Sequence, residues 1–302
     1  MAKLIQWFPG HMKKAMRDME EKRALCDGVI CVLDYRAPIA TYNPKLPEIF
    51  AGKPVLYVLN KSDLSDGKSE KFAAMIEAQG KSCVAISAVN GASRRVLEKR
   101  LQILTKEKRE RAESKGVTRR FRYTVVGIPN TGKSTVVNLL GGAKRAKTGD
   151  IAGVTRDVRW IKCADFDLLD TPGTMPPSCK TQYLARHLAY IGSLNDDILD
   201  IADVALELLK ELKADYPAAL QERYGIDCGG NDAETDKTAD EEERTREAVE
   251  MLETACRRRG FILRGGEFDY ERGARAVIDD FRKGRLGKIC LENPSDFADV
   301  KF

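Results

Sequence analysis

Gly127-Ile128-Pro129-Asn130-Thr131-Gly132-Lys133-Ser134 decides the fold: it fits the pattern G-x-x-x-x-G-K-[ST], and its neighbours supply the context that pattern requires. The apolar run Tyr123–Val126 before it reads as a buried strand. Val136, Val137, Leu139 and Leu140 after it open a helix. In such a strand–loop–helix unit the glycines let backbone N–H groups close around phosphate oxygens, and the helix N-terminus adds a favourable dipole. Pro129 through Thr135 then make the phosphate-binding surface. Lys133 is expected to bridge the β- and γ-phosphates, and Ser134 to ligate Mg2+ through its hydroxyl.

Outward from this loop the chain alternates. Val29–Leu33, Val55–Leu59 and Cys83–Ile86 are short, nearly continuous apolar runs, the pattern of strands buried on both faces of a parallel sheet. Helical segments separate them, with Leu97, Leu101 and Leu104 on one face. Val158–Cys163 and Phe166–Asp170 read as a hairpin completing the sheet. The expected fold is therefore a three-layer αβα domain of the P-loop class over residues 1–178, including an N-terminal helix in which Met12, Ala15, Met16 and Met19 share a face. Residues 179–302 carry no strand pattern. Ile198, Ile201, Ala202, Ala205, Leu209 and Leu212 mark one amphipathic helix, Val249, Leu252 and Cys256 a second, and Ala274, Val277, Ile278 and Phe281 a third. An all-α second domain is expected there, with 229–240 as a polar loop.

Three further motifs end predicted strands. Asn60-Lys61-Ser62-Asp63 follows Val55–Leu59. By itself it is a polar turn; beside a P-loop it is a guanine reader. The Asp63 carboxylate can accept from N1–H and the 2-amino group, a donor pair that adenine lacks, so ATP would leave a buried carboxylate unpaired. Asn60 braces the pocket and the Lys61 stem packs along the base. Ser87-Ala88, one strand later, places a backbone N–H near Ala88 toward the guanine O6. Asp170-Thr171-Pro172-Gly173 ends the run 166–169. There Asp170 is expected to hold Mg2+ through water, and the Gly173 N–H to sense the γ-phosphate. Between the P-loop and this motif, Thr155 is the expected switch threonine that closes on Mg2+ with GTP bound, although Thr148 lies in the same interval.

The order is informative. The guanine motifs precede the phosphate loop, Thr155 and D-T-P-G, the reverse of an ordinary G protein. Such a circular permutation preserves strand pairing whichever loops are cut. It also joins the switch after Asp170 directly to the helical region.

Trp7-Phe8-Pro9-Gly10-His11-Met12, Asp34-Tyr35-Arg36-Ala37-Pro38 and Asn43-Pro44, followed by N-K-S-D, P-N-T-G-K-S and D-T-P-G, resemble the RbgA/YlqF family of circularly permuted GTPases, also called ribosome biogenesis GTPase A. The resemblance covers roughly residues 5–175. It implies GTP hydrolysis coupled to late assembly of the large (50S) ribosomal subunit, with a C-terminal helical domain on ribosomal RNA. It implies a part in hydrolysis for His11, where a neutral imidazole could orient water, against a histidine that merely contacts RNA or caps structure. Asn130 resembles the P-loop asparagine of potassium-stimulated G proteins, which helps hold K+ against the phosphates, against a purely structural asparagine. Two departures stand out. Ala152 replaces the usual proline before the switch threonine, and Thr174-Met175-Pro176 follows D-T-P-G, so no glutamine orients water there.

Charge and composition set the class of partner. Net charge is +5, but twelve Lys/Arg against four Glu lie between Arg94 and Arg122, and ten against five acids between Arg257 and Lys288. Two basic stretches suggest a polyanion such as RNA, with Arg257, Arg258, Arg259, Arg282, Lys283 and Arg285 as expected contacts. The eight cysteines show no C-x-x-C pair and are expected as reduced thiols with no zinc site. No apolar run approaches the roughly 20 residues of a membrane span, and the N-terminus lacks a secretory core, so a cytoplasmic monomer with no membrane partner is expected. A nucleotide-dependent RNA-binding switch with little hydrolysis and a GTPase of another RNA pathway are the competing readings. A metabolic kinase is disfavoured by N-K-S-D.

Overall fold

The computed structural model describes residues 10–142, 158–176, 179, 181–228 and 240–302. Residues 1–185 and 292–302 form an α/β unit, and residues 186–291 a helical one. The contacts thus place the division later than residue 178 and return the last eleven residues to the α/β unit.

That unit holds strands β1 (Gly28–Asp34), β2 (Val55–Asn60), β3 (Ser82–Ile86), β4 (Phe121–Val126), β5 (Arg159–Lys162) and β6 (Phe166–Asp170), with helices α1 (Gly10–Lys22), α2 (Lys45–Ile49), α3 (Glu70–Ala78), α4 (Ser93–Leu104), α5 (Lys106–Glu113) and α6 (Lys133–Gly141). Each strand lies within two residues of the apolar run that announced it. The sheet order is β3-β2-β1-β4-β6-β5. All neighbours are parallel except β5 and β6, the expected hairpin. Val32, Val58, Val125 and Leu168 form a buried core with Leu97 and Leu101 of α4 and Val136, Val137 and Leu140 of α6. Burial of these aliphatic side chains, at about 1.5–3 kcal/mol each, is the main force holding this face together. Around Tyr42, the rings of Tyr57 and Phe302 lie 6.1 and 4.7 Å away, so the chain terminus packs into this unit.

The register fixes where chemistry can happen. Asp34 pairs with Asn60, Asn60 with Ile86, and Val125 with Asp170. N-K-S-D, Ser87-Ala88, the P-loop and D-T-P-G therefore all leave the sheet at its carboxyl edge, where ligands bind in open α/β sheets.

The helical unit continues α7 (Gln182–Tyr190) into α8 (Ile201–Asp215), α9 (Pro217–Tyr224), α10 (Glu241–Arg259) and α11 (Tyr270–Arg282). Ile198 does not belong to α8 as its periodicity suggested; it lies in a short turn and is 59% exposed. The helix begins after Asp200, whose carboxylate accepts from the Ala202 and Asp203 N–H groups at 3.1 and 3.2 Å. Asp280 is fully buried and is satisfied by Arg223 at 2.9 and 3.0 Å, the Tyr224 hydroxyl at 3.0 Å and Arg285 at 2.9 Å. None of the eight cysteines is in a disulfide. Among the described residues no helix is long and apolar enough to cross a membrane.

Candidate functional site

Gly127 and Gly132 are needed as glycines. Gly127 has φ 151°, and a Cβ there would lie 2.5 Å from the Val32 carbonyl oxygen. Gly132 has φ 89° and caps α6, and its Cβ would collide with the Asn60 side chain. The loop is thus pressed against the end of β1 on one side and the guanine motif on the other. Inside it the Thr131 hydroxyl donates to the Ile128 carbonyl at 3.1 Å. Lys133 Nζ donates to the same carbonyl at 2.6 Å. Burial pushes the Lys133 ammonium down to about 8, a shift that the Asp170 charge partly opposes. Ser134 and Thr135 follow in the first turn of α6, half-buried.

The N-K-S-D loop is bonded directly to this cradle. Asn60 Nδ2 donates to the Thr131 carbonyl at 2.9 Å, and Asn60 Oδ1 accepts from the Ala88 N–H at 3.0 Å. One side chain therefore ties three of the loops together. The backbone N–H expected to face O6 of guanine lies near Ala88; the Ala88 N–H itself donates to Asn60. Ser87 keeps a buried hydroxyl with no hydrogen-bond partner among the described residues. Lys61 Nζ donates to the Asn130 carbonyl at 2.7 Å. Asp63 is exposed on the turn after β2, so the buried carboxylate expected from the sequence is not formed by the protein alone.

D-T-P-G closes the other side. The Thr171 hydroxyl donates to the Val125 carbonyl at 2.6 Å, and the Thr174 N–H to the Gly127 carbonyl at 3.2 Å. Gly173 comes so close to the P-loop that a Cβ would lie 2.8 Å from Pro129 N and 3.0 Å from Lys133 Nζ. Asp170 is fully buried, and among the described residues neither carboxylate oxygen has a hydrogen-bond partner and the nearest cation is the Arg159 guanidinium at 3.6 Å. Burial pushes this carboxyl up, while Arg159 and Lys133 pull it back. A buried carboxylate that accepts no hydrogen bond from the described residues, close enough to Lys133 for their charges to interact, fits a hydrated Mg2+ held chiefly by phosphate. Among the described residues no cluster of three or more His, Cys, Asp or Glu could hold a metal by itself. Thr155, with Thr148 and Ala152, lies outside the described residues. His11 starts α1, but its side chain is likewise outside them.

Two residues known from the sequence only as motif letters, Asp34 and Asn43, belong to the site. Asp34 ends β1 fully buried, and its carboxylate accepts from Arg36 and from Lys61 Nζ at 2.9 Å. Burial would raise its pKa, but the Arg36 and Lys61 charges outweigh it and hold the carboxyl well below the usual range. Asn43 donates from Nδ2 to the Thr174 carbonyl at 3.0 Å, bracing the D-T-P-G turn. Glu292 was not singled out at all, yet its carboxylate accepts from the Ile39 and Ala40 N–H groups at 2.6 and 2.9 Å. A charged residue closing an otherwise apolar strand was the available signal for Asp34; Glu292, some 250 positions away, offered none. Of the basic residues expected on RNA, Arg282 is committed internally. It donates to the Tyr190 and Ala189 carbonyls at the end of α7 and pairs with Asp196 at 2.7 Å. Arg285 and Lys283 pair with Asp279. Arg257 lies over the Phe268 ring, and Arg258 is exposed.

A phosphate cradle, a guanine motif bonded to it from an earlier strand, and a D-T-P-G turn closing on the same lysine define a circularly permuted P-loop GTPase. The comparisons agree. A family model described as "50S ribosome-binding GTPase" matches residues 122–224. Ribosome biogenesis GTPase A of Bacillus cereus is 37% identical over 98% of this chain and 96% of its own length. Its Thermotoga maritima namesake is 28% identical over 98% and 97%. A solved structure titled as GDP-bound YlqF superposes with a TM-score of 0.64 at 26% identity, covering 93% of this chain and all of that one. The chain belongs to the ribosome biogenesis GTPase A family.

Proposed function

We propose that this GTPase is an assembly factor acting in late maturation of the large (50S) ribosomal subunit, and that it binds ribosomal RNA in a nucleotide-dependent way. The observation that carries the guanine half is the double tie from N-K-S-D to the P-loop, Asn60 to Thr131 and Lys61 to Asn130. The ribosomal half is supported by the names of the relatives and by the basic stretch 257–288. Asp63 reads guanine, P-loop amides and Lys133 hold the β- and γ-phosphates, and the Gly173 N–H senses the γ-phosphate. Ser134, Asp170 and Thr155 would hold Mg2+, which when bound neutralises charge on the phosphates. Asn130 is proposed to place K+ beside them; equal turnover in KCl and NaCl would remove that role. The protein acts in the cytoplasm as a monomer.

GTP and ATP binding, followed by steady-state turnover with and without large-subunit particles, tests the reading. GTP-selective binding and particle-stimulated hydrolysis are expected. ATP binding of equal strength would end the guanine assignment. Selective binding with turnover unmoved by particles would favour the RNA-binding switch instead.

A further inference from the structure

The D-Y-R-A-P segment, which begins at the last residue of β1, has no role in the proposed function, yet Asp34 touches the guanine motif directly. Asp34 Oδ1 accepts from the Arg36 backbone N–H and from Arg36 Nε, both at 3.0 Å. Its Oδ2 accepts from Arg36 Nη2 and from Lys61 Nζ, both at 2.9 Å. Arg36 is itself buried, so the carboxylate is clamped in one orientation from behind and presents one oxygen to Lys61. Lys61 in turn reaches the Asn130 carbonyl. Among the described residues Lys61 (φ 66°) and Asn130 (φ 61°) are the two non-glycine positions with left-handed backbone. Such a conformation costs an L-residue free energy and persists where the surroundings over-determine it. Here the two strained residues are bonded to each other, and Asp34 supplies the counter-charge that keeps the linking ammonium indoors.

We infer that Asp34, held by Arg36, is a positioning residue for guanine-nucleotide binding: its buried carboxylate fixes Lys61 against the Asn130 carbonyl and so sets the base-reading loop and the P-loop together. Without that charge the flexible lysine stem gains by taking its ammonium to water. Both the surface expected to lie along the base and the P-loop turn at Asn130 are then released. The inference rests on the guanine reading of this site.

The test is a double-mutant cycle on dissociation of a fluorescent GDP analogue, using the full chain. Lys61→Met keeps the apolar stem and removes the ammonium, so binding stays measurable. Asp34→Asn keeps shape and removes the charge. Asp34→Asn is expected to speed dissociation about ten- to hundredfold, the size of a lost charge-assisted hydrogen bond. In the Lys61→Met background the same change should alter the rate by no more than about twofold, because the group that Asp34 positions is already gone. If Asp34→Asn is not recovered folded, Asp34→Glu, which displaces the charge by one methylene, enters the cycle with the same readings. An unchanged rate in the single variant, or losses that multiply in the double, would overturn the inference and leave Asp34 a structural residue. A wild-type protein that does not bind the analogue would overturn the guanine reading, and this inference with it.

Discussion

Glu292 offers a test of how the C-terminal segment supports the GTPase unit. Its buried carboxylate accepts from two buried backbone N–H groups, at Ile39 and Ala40, in the loop that also carries Asp34, Arg36 and Asn43. Glu292→Ala leaves both donors unpaired. Each orphaned buried amide costs about 1–3 kcal/mol, so the expected loss is about 2–6 kcal/mol. For a unit of roughly 200 residues, 3 kcal/mol corresponds to a melting point lower by about 6–12 °C. Glu292→Gln should cost about half as much, since its amide oxygen can accept from one N–H while its NH2 group faces the other. The assay is favourable because the chain's two tryptophans, Trp7 and Trp160, both fall within residues 1–185. Tryptophan fluorescence therefore follows the α/β unit, while far-UV circular dichroism follows the whole chain. A Glu292→Ala fluorescence transition within about 0.5 kcal/mol of wild type would show that the tail is not bonded to the 34–43 loop as described.

Other outcomes are expected at the site. In Gly173→Ala the new Cβ would meet Pro129 backbone atoms at 2.8 and 2.9 Å, which cannot yield as a side chain would. The D-T-P-G turn must then back away, and GTP turnover should fall about tenfold or more while GDP affinity stays within about threefold; unchanged turnover would show that this approach is unimportant. Lys133, with its pKa pushed down to about 8, is largely neutral at higher pH in the free protein, whereas phosphates need the ammonium. Nucleotide affinity should therefore fall as pH rises through about 8, and binding at about pH 8.5 should take up a proton. Calorimetry in buffers of different ionisation heat reads this directly, and zero uptake would refute it. For stability the sign is opposite, because above pH 8 the unfolded chain holds the extra proton, so the penalty of burying this ammonium is relieved as pH rises toward its unfolded value. His11→Ala should lower particle-stimulated turnover about a hundredfold with nucleotide affinity retained; full turnover would remove His11 from the mechanism.

The sequence alone determined the strands, the helical tail, the permuted motif order and the guanine-nucleotide chemistry. These are local properties. A buried parallel strand is a short apolar run, and a phosphate loop is a backbone shape that two glycines permit, so each is written in consecutive residues. Asp34 holding Lys61, the Ala88 amide spent on Asn60, Arg282 turned inward to α7 and the terminus returning through Glu292 were decided by tertiary structure. Each joins residues roughly 30 to 250 positions apart, and an arginine or glutamate bonded internally has the same letter as one facing water. What separates them is which buried donor or acceptor the folded chain brings within reach, a quantity fixed only once strand register and packing have set the distances.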